Sequence, residues 1–329
     1  MSDGPSGIIT LSDIARGMSM GLVEERLVKA TLMGLTASGE TADDVLSFAR
    51  PFLEVSVRVP TRHPVVLDMC GTGGAPFRTF NVSTLASIVV SSCGVPVAKH
   101  GNRSNGGKCG SADLMEALGY DIMMGPDRSR EMLDEVGFAF LFAPNYHPSM
   151  RHVVPMRREI GKRTVFNLLG PLLNPVMARK QQLVGVADPD LMDVIADSLS
   201  MLGIERALVV HGYPGMDEVS ALGPTMCIEV CDGRKNKFEI SPKMLEKRMP
   251  VAGDLGEMAP KEAASLAYDI LDHKVEGRSE MVSLNAACGL YVFGKARSFR
   301  EGLEMSNSAM FSGKASAQLG RILSLGGVN

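Results

Sequence analysis

Three stretches of this chain carry glycines and polar side chains in a density that suits chemistry on an anion. The first is Gly71-Thr72-Gly73-Gly74, followed by Thr79 and then Asn81-Val82-Ser83-Thr84. Glycines let backbone N–H groups approach an anion closely, and a helix starting near Asn81 adds free donors and a favourable dipole. Ser83 and Thr84 bring hydroxyls, and Ser83 is also a candidate metal contact. The spacing fits neither the P-loop nor the dinucleotide fingerprint. A tight turn with Asn81 or Ser83 merely capping a helix is the plain alternative. The second stretch is Lys99-His100-Gly101-Asn102-Arg103-Ser104-Asn105-Gly106-Gly107-Lys108. Its cations and glycines suit a polyanion, with a solvated basic loop as the alternative. The third is Asp217-Glu218. Two carboxylates in a loop suit magnesium, which takes oxygen ligands and keeps waters. Adjacent acids are also common on surfaces.

Two further residues stand apart. His147 follows Phe142-Ala-Pro-Asn-Tyr and is either a structural histidine or part of a site. Arg157 lies on an expected helix, as a solvated cation or as a planar fork for a carboxylate.

The elements that position these residues read as an α/β protein. Residues before 60 are helical: one stretch runs from Gly21 to Leu35 and stops at Gly39, and a second starts at an N-cap Thr41 with Asp44 three residues on. Short apolar runs at Val65–Met69, Val95–Ala98, Phe138–Phe142, Gln182–Val186 and Ala207–Val210 read as strands separated by helices, hence a mainly parallel sheet covered on both faces. Loops after such strands are where ligands bind. Met226–Val230 and Lys237–Ile240 read as an antiparallel pair. Between Pro148 and Pro175 the chain turns helical, and the last seventy residues carry helices from Lys261, Ser279 and Lys314. The expected organisation is a small all-helical domain, residues 1–62, completed by about 150–178, and a larger α/β domain, 63–329.

At the level of these motifs the chain resembles a known family. DMCGTGG, NVST, VAKHGNRS, KCGSADLMEALGY, FAPNYHPSM, RTVFNLLGPLLNP and GMDEVSALGPT occur in the order and spacing of anthranilate phosphoribosyltransferases, from about residue 20 to 230. The resemblance implies transfer of the phosphoribosyl group of phosphoribosyl diphosphate (PRPP) to the amine of anthranilate, in tryptophan biosynthesis. It implies that Gly71, Gly74, Ala75, Thr79, Asn81, Val82, Ser83 and Thr84 hold the diphosphate and ribose phosphate. Lys99, His100, Gly101, Asn102, Arg103, Ser104, Asn105, Gly106 and Gly107 do so from the opposite side, with Ser111 nearby. Lys99, Asp217 and Glu218 are the implied catalytic groups. Asp217, Glu218 and Ser83 are the implied ligands of two Mg2+ ions. Asn102 and Arg157 are the implied anthranilate contacts, with His147 lining the same tunnel. A homodimer through the helical domain is implied as well. Two departures stand out: Ala75 replaces the family's acid after GTGG, and Gly106 and Cys109 replace serines.

Bulk composition agrees with an enzyme of this kind. The chain has 329 residues, 45% hydrophobic and 22% charged, with a net charge of −3 that argues against nucleic acid as a partner. No apolar run nears the roughly 20 residues a membrane span needs, and the N-terminus lacks signal-peptide character, so a cytoplasmic location is expected. Six cysteines lack the density of a disulfide scaffold, and Cys227 with Cys231 is too small a set for zinc. Twenty-two methionines and no tryptophan point to thioether-rich packing and to no function. A pyrimidine nucleoside phosphorylase of similar fold and a non-catalytic nucleic-acid-binding relative are the competing readings.

Overall fold

A computed structural model describes residues 9–104, 106–245 and 250–328. The chain opens with helices α1 (Leu11–Met20), α2 (Glu25–Ser38) and α3 (Ala42–Glu54). Thr41 and Asp44 form the expected reciprocal cap: the Thr41 hydroxyl accepts the Asp44 N–H at 3.2 Å, and the Asp44 carboxylate accepts the Thr41 N–H at 2.9 Å. Thr10 and Asp13 repeat this device at α1. The stretch from Gly21 splits, because Gly21 adopts φ 72° as the left-handed cap of α1 and α2 begins only at Glu25.

Alternation then sets in with β1 (Val65–Gly71), α4 (Val82–Ser92), β2 (Val97–Gly101), α5 (Ser111–Ala117), α6 (Pro126–Val136) and β3 (Phe138–Phe142). Short helices α7 (Ala143–Tyr146) and α8 (Val154–Ile160) lead to β4 (Arg179–Gly185), α9 (Met192–Met201), β5 (Arg206–Gly212), β6 (Thr225–Cys231) and β7 (Arg234–Ile240). Four helices close the chain: α10 (Pro260–Leu271), α11 (Arg278–Val292), α12 (Phe299–Phe311) and α13 (Lys314–Gly326). Helix α12 is not among the expected helices, although Ser298 with Glu301 three residues on marks its start, and the Ser298 hydroxyl accepts the Glu301 N–H at 3.2 Å. The segment 148–175 is less helical than expected. Only α8 is an α-helix there, and the rest is 3-10 turns and loop, since its prolines remove the N–H groups a helix needs.

The sheet order is β3-β2-β1-β4-β5-β6-β7. The first five strands are parallel and β6 and β7 are antiparallel. Along β5 and β6, side chains alternate between two cores: Leu208, Val210 and Cys227 face the helices of the C-terminal half, whereas Val209, Ile228 and Val230 face α9 and the N-terminal helices. The second core also takes in Phe48, Phe52, Val153 and Phe166, so the N-terminal helices and the 148–170 segment share it with one face of the sheet. Chain order runs outward from β1 to β3, then returns to β4 beside β1. That reversal puts a topological switch point between β1 and β4, the place where open α/β sheets bind ligands.

Candidate active site at the switch point

Gly71 ends β1 and Gly185 ends β4, paired across the register. A methyl group on Gly185 would sit 1.6 Å from the Asp217 carbonyl oxygen, and one on Gly71 would sit 2.3 Å from the Asp217 carboxylate. Only glycine at both strand ends lets the acidic loop after β5 settle onto the switch point. There the Asp217 carboxylate accepts the Gly73 N–H at 2.9 Å, and the Glu218 carboxylate accepts the Thr79 hydroxyl at 3.0 Å. The first glycine-rich turn and the acidic dipeptide are thus joined directly.

Lys99 completes this floor. It is 1% exposed, and its ammonium donates to the Met69 carbonyl and, at 3.2 Å, to the Ser83 hydroxyl. Burial pulls the Lys99 ammonium below the ordinary lysine value, while Cys70, Asp68, Glu218 and Asp217 act against that loss. Burial pushes Asp217 above the usual carboxylate range, and the Gly73 N–H opposes it. Burial, with Asp217 as the next cause, pushes Glu218 well above its usual value. Two crowded carboxylates that resist ionisation are short of positive charge. Glu218 Oε2 is moreover buried with no hydrogen-bond partner. An orphaned carboxylate oxygen beside a second acid fits a hard divalent cation. Among the described residues no cluster of three or more His, Cys, Asp or Glu could cage an ion alone. Magnesium needs only one or two carboxylates when phosphate and water supply the rest.

The two glycine-bearing turns meet above this floor. Asn81 does not cap α4 with its side chain. Its amide instead donates to the Cys109 carbonyl at 3.0 Å, stitching the first turn to the second. Ser83 and Thr84 open the helix at the cleft edge, where first-turn N–H groups lack intrahelical partners. In the second turn Asp113 of α5 accepts the N–H groups of Ser104 at 2.9 Å and Gly110 at 2.8 Å. A methyl on Gly110 would lie 2.2 Å from the Ser104 nitrogen, so the turn closes only with glycine there.

The facing wall comes from the 148–170 segment. Arg157 lies 5.4 Å above the Phe166 ring, and burial lowers its guanidinium from the usual value. Among the described residues no carboxylate pairs with it. Its neighbour Arg163 is held by Glu40 at 2.8 Å. Floor, turns and wall enclose one cleft of about 1080 Å³.

Comparison with known proteins decides the family. Residues 63–316 match the glycosyl transferase family, a/b domain. The chain is 45% identical over 300 residues to the anthranilate phosphoribosyltransferase of Pelotomaculum thermopropionicum, covering 91% of this chain and 87% of that one. It superposes on the crystal structure of anthranilate phosphoribosyltransferase from Thermus thermophilus with a TM-score of 0.89, 38% identity, and coverage of 96% and 94%. The chain belongs to the anthranilate phosphoribosyltransferase family. Two structures of the Saccharomyces cerevisiae enzyme, one in complex with PRPP and Mg and one with 4-fluoroanthranilate, each match with a TM-score of 0.86, 26% identity, and coverage of 96% and 93%.

Most of the family's motif positions face the cleft. Gly71, Gly74, Ala75, Thr79, Asn81, Ser83 and Thr84 line it. So do Lys99, His100, Gly101, Asn102, Arg103, Ser104, Gly107, Ser111, Arg157, Asp217 and Glu218. Five expectations change. Lys99, His100 and Gly101 belong to β2 and not to a loop, because pairing with Phe138–Phe142 runs to the end of that strand. Val82 is fully buried and presents no side chain. His147 does not line the cleft. Its ring packs edge-on behind His100 at 5.2 Å, both nitrogens are buried, and burial, with His100 as the next cause, brings its pKa down to about 3. The Arg103 guanidinium is committed to Asp113 at 2.9 Å and Glu116 at 2.8 Å, and its backbone N–H donates to Asn102 Oδ1 at 2.8 Å. Gly106 has φ 82° and is exposed beside the cleft without lining it. Asn105 lies outside the described residues. Cys227 and Cys231 sit on β6, one buried and one exposed, both free thiols.

Several cleft residues were not among the expected site residues. Arg78 and Glu257 line the cleft outside every quoted motif, and Glu257 accepts the Lys108 N–H at 3.3 Å; Thr72 and Asn167 also line it, inside quoted motifs but with no role assigned there. Arg78 lies between two motif fragments and was readable as a cation near phosphate. Glu257 arrives from a segment with no sequence signature.

Proposed function

We propose that this chain catalyses phosphoribosyl transfer from PRPP to the amine of anthranilate, giving N-(5-phosphoribosyl)anthranilate and diphosphate in tryptophan biosynthesis. One observation carries the reading: two glycine-bearing turns, a buried acidic pair and an arginine with no carboxylate partner among the described residues face a single cleft. The turns supply backbone N–H groups for a diphosphate. Arg157, already stripped of much of its water, offers a planar fork to a carboxylate.

The chemistry follows from the charges. Aniline-type nitrogen is neutral at pH 7 and needs no strong base. As the bond to diphosphate stretches, the sugar gains positive charge and the leaving group negative charge. Lys99 and the N–H groups of the first turn are fixed in advance where that negative charge grows. Asp217, Glu218 and Ser83 would hold two Mg2+ ions, which when bound neutralise the diphosphate. Attack from the face opposite the leaving group inverts the anomeric carbon. Residues 1–62 with 150–178 are read as the smaller domain, whose closure over the cleft would exclude water.

A homodimer through the N-terminal helices belongs to the same reading. It is supported by Leu22 at 77% and Met33 at 57% exposure, large apolar side chains that solvent does not favour. The cytoplasm is the expected compartment, since a phosphorylated sugar does not cross a bilayer unaided. Among the described residues no helix is long and apolar enough to span one.

Loss of anthranilate fluorescence on mixing protein, anthranilate, PRPP and Mg2+ is the direct test. Cleavage of uridine by phosphate, without that loss, would transfer the chain to the nucleoside phosphorylases.

A further inference from the structure

The acidic dipeptide lies in a loop, so its backbone must be fixed by something other than a strand. Val219, the next residue, is fully buried, and its N–H and C=O therefore need partners. Both partners come from one side chain. Asn285 Oδ1 accepts the Val219 N–H at 2.9 Å, and Asn285 Nδ2 donates to the Val219 carbonyl at 2.8 Å. The same nitrogen donates to the Met281 carbonyl one turn back, at 2.9 Å, which fixes the amide's orientation. Asn285 is 2% exposed and sits on α11, where 13 of 15 residues are buried. The helix is thus a rigid anchor, and it packs on α4, which carries Ser83.

Beneath the dipeptide lies a cavity of about 10 Å³, bordered by Met69, Ser83, Asp217, Glu218 and Asn285. The space is too small for a side chain, so the loop is closely backed and a shift there means displacing its neighbours. Thr79 and the Gly73 N–H hold the carboxylates from above, the Gly212–Met216 pairing and the Ser220 bonds to Tyr213 and Thr225 hold the loop at its two shoulders, and Asn285 ties its middle from behind.

We propose that Asn285 is a positioning residue that holds Asp217 and Glu218 at the geometry a divalent cation requires, a role that rests on reading the acidic pair as the metal site. Magnesium tolerates little deviation from octahedral distances near 2.0–2.1 Å. Groups that orient metal ligands typically contribute about 10–100-fold to metal affinity. Asn285→Ala leaves two buried backbone groups without partners and frees the loop to shift.

Mn2+ binding, read by electron paramagnetic resonance with PRPP present, tests this apart from turnover. Asn285→Ala should weaken Mn2+ roughly 10–100-fold and lower kcat, with KM for anthranilate within about twofold. Asn285→Asp keeps the acceptor for the Val219 N–H but faces the Val219 carbonyl with a second acceptor, and should fall between parent and alanine variant. Gln318→Leu removes an equally buried amide that bonds Ser91 and Val136. It should lower the melting temperature and leave Mn2+ affinity unchanged. Asp217→Asn with Glu218→Gln should abolish binding. Mn2+ affinity within twofold of the parent in both Asn285 variants, alongside lost binding in the acidic double variant, overturns the positioning role. Retained binding in the acidic double variant overturns the metal reading itself. If Asn285→Ala does not fold, Asn285→Asp decides alone by the same criterion.

Discussion

The two walls of the cleft are built on opposite principles. The sheet wall presents Lys99, Asp217 and Glu218 from strand ends and from a loop tethered to buried helices, and each has fixed hydrogen-bond partners. The facing wall presents Arg157 from a seven-residue helix within a segment of 3-10 turns, resting on one aromatic ring. The first arrangement holds charges that would repel or desolvate each other in a looser setting. The second packs into the core it shares with the N-terminal helices, but its charge rests on an aromatic ring with no hydrogen-bond partner among the described residues. A charge that meets a developing transition state needs fixed partners, whereas a charge that recognises a ground-state carboxylate does not.

The sharpest way to break this contrast is to neutralise the sheet wall. Asp217→Asn with Glu218→Gln should lower kcat by about 10³ or more, since removal of even one preorganised group typically costs 10²–10³. Steady-state kinetics under limiting Mg2+ measures it, and near-normal turnover would erase the distinction between the walls. Next in size, Arg157→Ala should raise KM for anthranilate by roughly 10–100-fold, the worth of charge-assisted hydrogen bonds. Its kcat should stay within about threefold. A kcat loss as large as that of the acidic variant would show that both walls serve the transition state.

The acidic pair also makes a prediction about pH. Glu218 is held well above the ordinary 4.5 and Asp217 above 3.8, so the folded chain binds these protons more tightly than the unfolded chain. The stabilisation is complete below the unfolded values and is lost as pH rises through the raised ones. Metal-free protein should therefore lose melting temperature from about pH 4.5 upward relative to the Asp217→Asn, Glu218→Gln variant. Identical slopes in the two proteins would mean that the pair is not strained. Smallest of all, Thr41→Ala should cost about 1 kcal/mol in denaturant unfolding by removing a helix cap, with kinetics unchanged. A kinetic effect there would link the N-terminal helices to the chemistry more tightly than the two-wall contrast allows.

Residue types in the chain determined the alternation of strands and helices, the Thr41 cap, the antiparallel tail of the sheet, and the glycine-bearing turns. These are local: glycine runs, capping pairs and short apolar runs act over a few neighbours. Tertiary structure alone decided that Gly185 and Gly71 make room for Asp217, that Arg103 is tied to Asp113 and Glu116, and that His147 hides behind His100. It also decided that Asn285, some seventy residues downstream, fastens the acidic loop. Each of these depends on which strand ends lie side by side, a matter settled by sheet order and burial and not by any neighbour in the sequence.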